Sequence, residues 1–127
     1  MTETAQNYRN RIETLPAHDR NAIDIAAKQL EMLHASFYTG TMDLDLKRMT
    51  KDDVLKTIDS LESMDMDAMR SSWMFEPPFD SQDPEGWLKQ AKLIRITYLV
   101  EQFELVSRLR DDDPEAWDEI NELYFDD

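Results

Sequence analysis

Two histidines and many carboxylates are the side chains of this chain whose types and spacing could support chemistry. Glu31 and His34 have the Glu-x-x-His spacing, which puts both side chains on one face of a helix and which di-metal carboxylate bundles use twice. The chain contains this pair once, so a di-metal site would lack its second Glu-x-x-His pair. His18 lies sixteen residues before His34, about 24 Å along a continuous helix, so the two histidines cannot share a ligand. We therefore expect neither a metal site nor a cofactor.

The other sequence motifs that carry catalysis are missing. Asp43–Asp45 and Asp65–Asp67 have the Asp-x-Asp spacing that opens a calcium loop, but neither continues with the glycine and the terminal glutamate of such a loop. With two glycines in the whole chain, there is no Gly-x-Ser-x-Gly motif and no glycine-rich phosphate loop. Because the chain has no cysteine, it has no thiol nucleophile, disulfide or thiolate metal site. We expect a protein that is not an enzyme and has no catalytic residues.

Negative charge is the strongest compositional feature. The 127 residues include 28 acidic and 14 basic ones, which give a formal net charge of −14. The charge is uneven: residues 43–85 carry a net −7 and residues 86–110 a net +3, whereas residues 111–127 contain nine acidic residues and no basic one. Such a surface repels nucleic acid and anionic lipid and accelerates encounter with basic proteins. We expect a basic protein partner, with no direct nucleic-acid binding and no membrane binding.

The acidic end of the chain is the first candidate for a partner-binding surface. Carboxylates three or four residues apart on a helix lie about 6 Å from one another, which resembles the spacing of successive phosphates along a nucleic-acid strand. The alternative is a solvated face that keeps the protein soluble. A second acidic stretch, residues 43–67, is interrupted by lysines and an arginine that could neutralise it locally. The predicted acidic face consists of Asp111, Asp112, Asp113, Glu115, Asp118, Glu119, Glu122 and Asp126.

An aromatic segment is the second candidate. It follows Met64, Met66 and Met69 and is fixed by Pro77-Pro78. Rigid aromatic side chains bury a large area at low entropic cost, which suits a protein-binding anchor. The alternative is that these side chains fold back on the core and pin a long connection. The predicted apolar anchor consists of Trp73, Met74, Phe75 and Phe79.

The elements that would position these groups are helices. A first helix is predicted over 3–15, and Pro16 is expected to open a second one that ends at Gly40. Thr50 and Asp53 have the spacing of a capping arrangement and start a third helix over 51–63. A fourth is expected over 65–73. Asp-Pro-Glu sequences at 83–85 and 113–115 start a long helix over 84–109 and a last one ending near Tyr124.

The sequence therefore predicts one all-α, bundle-like domain of five to six helices over residues 1–127. The long helix has apolar residues nearly all round, which places it at the centre of the fold or in a homodimer interface. Its main apolar stripe is predicted to be Trp87, Ala91, Ile94, Tyr98, Leu105 and Leu109. The first ten residues are polar and no segment is apolar enough to cross a bilayer, so we expect a cytoplasmic protein.

These features together favour a non-enzymatic acidic binding protein that inhibits or neutralises a basic, nucleic-acid-binding partner. Nucleic-acid mimics, counter-defence proteins, immunity proteins and acidic antitoxins are small, acidic and helical in this way. One alternative is a helical adaptor or chaperone-like module that binds a partner through the methionine and aromatic segment; its binding would depend little on salt. A further alternative is a protein from a high-salt organism, in which the acidity serves solvation.

Overall fold

Helices make up every regular element of the residues that the structure describes, which are 4–32, 46–72 and 82–124. This computed structural model confirms the all-α prediction. Five of the α-helices lie around the long one and form a compact bundle-like domain. The helices are α1 (Ala5–Glu13), α2 (Arg20–Met32), α3 (Lys51–Ser63), α4 (Met66–Ser72), α5 (Pro84–Arg110) and α6 (Pro114–Tyr124), with a short 3₁₀ turn at Leu46–Arg48 before α3.

Side-chain caps begin α3 and α5 where the sequence predicts. The backbone N–H of Asp53 donates to the Thr50 hydroxyl at 3.1 Å, and the N–H of Thr50 donates to the Asp53 carboxylate at 3.0 Å, so the capping box of α3 is complete. Asp83 accepts from the N–H of Gly86 at 3.1 Å and starts α5. A side chain at Gly86 would require the capping carboxylate of Asp83 to shift.

The predicted start of the second helix at Pro16 is wrong. Helix α2 begins at Arg20, and Asp19 provides both the side-chain cap of Ala22 (2.8 Å) and the first backbone acceptor (3.1 Å from N of Ile23). Leu15, which precedes Pro16, is among the poorest N-cap residue types, whereas Asp19 is among the preferred ones. His18 consequently lies before α2 rather than on it, so the helical separation of the two histidines does not apply. His34 and Gly40 lie outside the described residues.

Three buried clusters hold the bundle together, and α5 contributes to each of them. The first joins α1, α3 and α5 around Phe103, and it includes Val54, Ile58 and Leu61 of α3. The second joins α2, α5 and α6 through Leu30, Val106 and Ile120. The third packs Met69 of α4 on Trp87 and Ala91 of α5. The long helix is thus the central element of the described fold.

The predicted apolar stripe of α5 is wrong at two positions. Ile94 and Tyr98 are 42% and 52% exposed, whereas Ile96, Leu99 and Phe103 are buried. The helix is flanked on several sides, and α1 and α3 pack on the face that carries the second set. Because a helix apolar nearly all round can bury any of its faces, the arrangement of its neighbours decides which one is covered.

Within the described residues, no helix is long and apolar enough to cross a membrane.

Candidate partner-binding surface

The junction between α5 and α6 positions the carboxylates of the acidic end. Helix α5 ends in a tight turn in which N of Asp112 donates to the carbonyl of Leu109 (3.0 Å) and N of Asp113 to that of Arg108 (3.1 Å). This is the pattern of a Schellman motif, and Asp112 has the left-handed φ of 62° that the motif requires. Asp113 then accepts from N of Glu115 at 3.0 Å and begins α6. Two consecutive caps therefore place the carboxylates at the start of α6.

Three of the predicted acidic residues form ion pairs or hydrogen bonds with other side chains of the protein. Arg108 donates from Nε to Asp113 at 3.0 Å and from Nη1 to Glu119 at 2.9 Å. The hydrogen bond from Arg108 lowers the pKa of Asp113, and the hydrogen bonds to Glu119 and Asp113 raise the pKa of Arg108. His18 Nε2 lies 2.7 Å from the carboxylate of Asp111. These three carboxylates fix the α5–α6 junction and the segment before α2.

Four other carboxylates remain at the surface, and we refer to them as the free acidic surface. All four are exposed, and none has an ion pair or a side-chain hydrogen bond within the part of the chain that the structure describes. Positions 115, 118 and 122 are spaced along one face of α6, opposite the buried Ala116 and Ile120. Asp126 lies outside the described residues. The free acidic surface consists of Asp112, Glu115, Asp118 and Glu122.

In the described part of the second acidic stretch, residues 46–67, most carboxylates make contacts within the protein, but these are not the local ion pairs that its lysines and arginine suggested. Arg9 of α1, far away in sequence, forms ion pairs with Asp59 and Glu62. Asp53 closes the capping box of α3, and Asp65 accepts from N of Ala68 at 2.8 Å at the start of α4. This stretch therefore offers fewer free carboxylates than its composition indicates.

The predicted apolar anchor is not among the groups that the structure places. Trp73, Met74, Phe75 and Phe79 lie outside the described residues. The methionines before them turn towards the protein: Met69 is fully buried against Trp87 and Ala91, and Met64 and Met66 are half-buried beside it. The described part of this segment therefore serves the core.

Two buried cations and two cavities were not foreseen from the sequence. Arg95 is fully buried, and Arg110 is 8% exposed. A cavity of about 240 Å³ is lined by Ala17, His18, Ile23, Thr50, Lys51, Asp52 and Arg110. A second one, of about 380 Å³ and largely apolar, is lined by Thr4, Ala5, Glu62, Lys89, Lys92, Leu93 and Ile96. Charge burial of this kind leaves no signal in a sequence, because an arginine on a helix is ordinarily exposed.

Neither cavity combines groups for metal chemistry. In 4–32, 46–72 and 82–124, no three histidine, aspartate or glutamate side chains come close enough together to hold a metal ion. Comparison of the chain with protein-family models, with curated proteins and with solved structures finds no match. The geometry of its own side chains is therefore the basis for a functional assignment.

Proposed function

We propose that this protein is a non-enzymatic acidic binding protein that inhibits or neutralises a basic, nucleic-acid-binding partner. The free acidic surface is the contact, and it covers the positively charged groups with which the partner would hold phosphates. The observation that carries the proposal is the division of the acidic end, in which Arg108 and His18 engage three carboxylates while four on or beside α6 stay unpaired among the described residues.

The unpaired state of these four carboxylates matters energetically. A carboxylate that already accepts hydrogen bonds from an arginine must give them up, or share them, before it can bind a partner. Asp112, Glu115, Asp118 and Glu122 lose only hydration when a lysine or arginine of the partner approaches. Their spacing along α6 resembles that of phosphates on a strand. The remaining net charge of the protein adds long-range attraction, which accelerates encounter and weakens as salt rises.

Variants in which amides replace the carboxylates test this proposal directly. A fourfold variant, Asp112→Asn, Glu115→Gln, Asp118→Asn and Glu122→Gln, removes the free acidic surface and keeps a residue that tolerates the left-handed backbone at position 112. The matched control removes four exposed carboxylates that have no side-chain partner in the described residues: Glu13→Gln, Asp67→Asn, Glu85→Gln and Glu101→Gln. Both variants change the net charge equally, so they differ only in where the charge is lost.

The measurement is capture of proteins from a lysate of the source organism at about 0.1 M and about 0.5 M salt. We expect the natural protein and the control variant to retain one basic protein at low salt and to release most of it at high salt. The fourfold variant is expected to lose it at both. Equal capture by the fourfold and control variants would show that overall charge, rather than α6, attracts the partner, and would contradict the proposal.

A helical adaptor is the second candidate function, and one observation favours it. Ile94 and Tyr98 lie one turn apart on α5 and are 42% and 52% exposed, so they form a small apolar area on the surface. Binding through such an area buries apolar groups and depends weakly on salt. Capture that survives about 0.5 M salt and is lost in a Tyr98→Ser variant would support the adaptor and contradict the acidic-surface proposal.

A further inference from the structure

One cavity of this acidic protein has two cationic side chains in its wall, those of Lys51 and Arg110. It lies between residues 17–18, the start of α3 and the end of α5, and has a volume of about 240 Å³. Arg110, Lys51 and His18 contribute to its wall. The exposed carboxylate of Asp52 is the acidic group in the same lining, whereas the neighbouring Asp53 is engaged in the capping box. The cavity thus differs in chemistry from the surface around it.

Arg110 is the group that makes this cavity unusual. Its side chain is more than nine-tenths buried, yet it forms no ion pair with any carboxylate of the described residues. Nη2 donates to the carbonyls of Lys47 (3.1 Å) and Met49 (2.8 Å), the guanidinium lies 5.2 Å from the Phe103 ring, and Nε has no hydrogen-bond partner. By contrast, carboxylates neutralise Arg9 and Arg108.

A buried positive charge without a counter-charge is unfavourable, because neutral carbonyls replace only part of its hydration. Burial lowers the pKa of Arg110 to about 10, in the direction opposite to the change at the paired Arg108. An anion that enters the cavity would supply the missing counter-charge. The free energy released by this neutralisation is available for binding, so the position of Arg110 favours an anionic ligand.

Two further features of the cavity wall add to its positive potential. Lys51 Nζ donates to the carbonyls of Glu13 (3.0 Å) and Leu15 (2.6 Å), and these two hydrogen bonds hold the ammonium group in place. One of the three N–H bonds of the ammonium group is left for a ligand. Helix α3, thirteen residues long, begins at this point. Its cap, Thr50, engages the N–H of Asp53, so the N–H groups of Lys51 and Asp52 remain at the positive end of the helix dipole.

We propose that the cavity formed by His18, Lys51, Arg110 and the start of α3 binds a phosphate group. Arg110 and Lys51 neutralise the anion, and the first N–H groups of α3 donate hydrogen bonds to its oxygens. His18, held by Asp111 at 2.7 Å, closes one side. The volume is sufficient for a phosphate group. This site is separate from the free acidic surface, so its failure would leave the proposed function untouched.

Calorimetric titration of the purified full chain with inorganic phosphate, against chloride at equal ionic strength, tests the site. We expect one phosphate per chain and a rise in Tm. Lys51→Met should weaken binding by about tenfold or more, because a charge-assisted hydrogen bond is lost. Lys89→Met, which removes the same charge at the other cavity, should leave binding unchanged. Arg110→Met should abolish phosphate binding. If Arg110→Met does not fold, the comparison of Lys51→Met with Lys89→Met tests the site.

A parallel titration with phenyl phosphate distinguishes a free ion from the phosphate group of a larger molecule. Tighter binding of inorganic phosphate would identify the free ion, and tighter binding of the ester would identify a ligand that extends out of the cavity. Absence of binding at millimolar phosphate would overturn the proposal. Equal weakening by Lys51→Met and Lys89→Met would overturn it as well, because it would show attraction to overall charge rather than to this site.

Discussion

Nε of Arg108 lies 3.0 Å from Oδ2 of Asp113, across the turn that separates α5 from α6. The same guanidinium donates to Glu119, six residues further along the chain, at 2.9 Å. Arg108 of the weakly basic helix α5 thus fixes the start of the acidic helix α6. Because Asp113 and Glu119 are paired with it, these two carboxylates are less available to a partner. The carboxylates that remain available for a partner are those that neither Arg108 nor His18 engages.

Replacing Arg108 tests this division. Arg108→Gln should lower Tm slightly, because the ion pairs it makes are solvent-exposed and screened, and the difference should shrink in high salt. The variant also frees Asp113 and Glu119, so affinity for a basic partner should rise. Thermal unfolding at low and high salt measures the first effect, and titration with the captured partner measures the second. Weaker partner binding in Arg108→Gln would contradict the division.

The left-handed backbone of Asp112 predicts a stabilising substitution. At φ 62° a residue with a Cβ is strained and glycine is not. Asp112→Gly should therefore raise the free energy of unfolding by roughly 0.5–1 kcal/mol. Asp112→Ala removes the same charge but keeps the Cβ, and serves as the control in urea denaturation. If glycine and alanine at this position give equal stability, the strain at Asp112 is not significant.

The capping box of α3 predicts a pH-dependent contribution to stability. The hydrogen bond from the backbone N–H of Thr50 is the main cause that lowers the pKa of Asp53 below 3.8 in the folded protein. The ionised carboxylate therefore stabilises the fold above about pH 4, and this contribution is lost as pH falls through the lower folded-state pKa. The free-energy difference between the natural protein and Asp53→Asn should be larger at pH 7 than at pH 3.

Asp52→Asn is the matched control for this comparison, because Asp52 is exposed and is not part of the capping box. It removes the same charge from the same turn of α3. Urea denaturation of the three proteins at both pH values isolates the contribution of the cap. A difference for Asp53→Asn that stays constant between pH 7 and pH 3 would disprove the role given to the ionised carboxylate.

Replacing two aromatic residues of α5 that lie five positions apart should change the free energy of unfolding by very different amounts. Phe103 is 1% exposed and lies in the cluster of α1, α3 and α5, whereas Tyr98 is 52% exposed. Phe103→Ala should lower the free energy of unfolding by about 3–5 kcal/mol, and also removes the ring beside Arg110. Tyr98→Ala should change it by no more than about 0.5 kcal/mol. Similar losses from both variants in urea denaturation would mean that the faces of α5 are wrongly assigned.

Local signals in the sequence predicted the helix starts at Thr50, Asp83 and Asp113 because a cap depends on residues only two or three positions away. The start at Pro16 was wrong because Asp19 supplies a better cap. The exposure of Ile94 and Tyr98 could not be predicted, since it depends on where α1 and α3 pack.

The acidic end shows the same limit. Its carboxylates could be read from the sequence, but their partners could not, because His18 and Asp111 are 93 positions apart. The burial of Arg110 likewise results from contacts between the 3₁₀ turn and the end of α5. The candidate surface was thus predicted in composition, while the separation of structural from free carboxylates required the fold.

Competition with nucleic acid is the decisive test of binding through the free acidic surface. Fluorescence anisotropy would follow a labelled nucleic acid bound to the captured basic partner while this protein is added at constant salt. We expect the natural protein and the control variant to release the nucleic acid. The fourfold variant, which lacks the carboxylates of Asp112, Glu115, Asp118 and Glu122, is expected not to release it. Formation of a ternary complex, with this protein bound to the partner and the nucleic acid still in place, would contradict the proposed function.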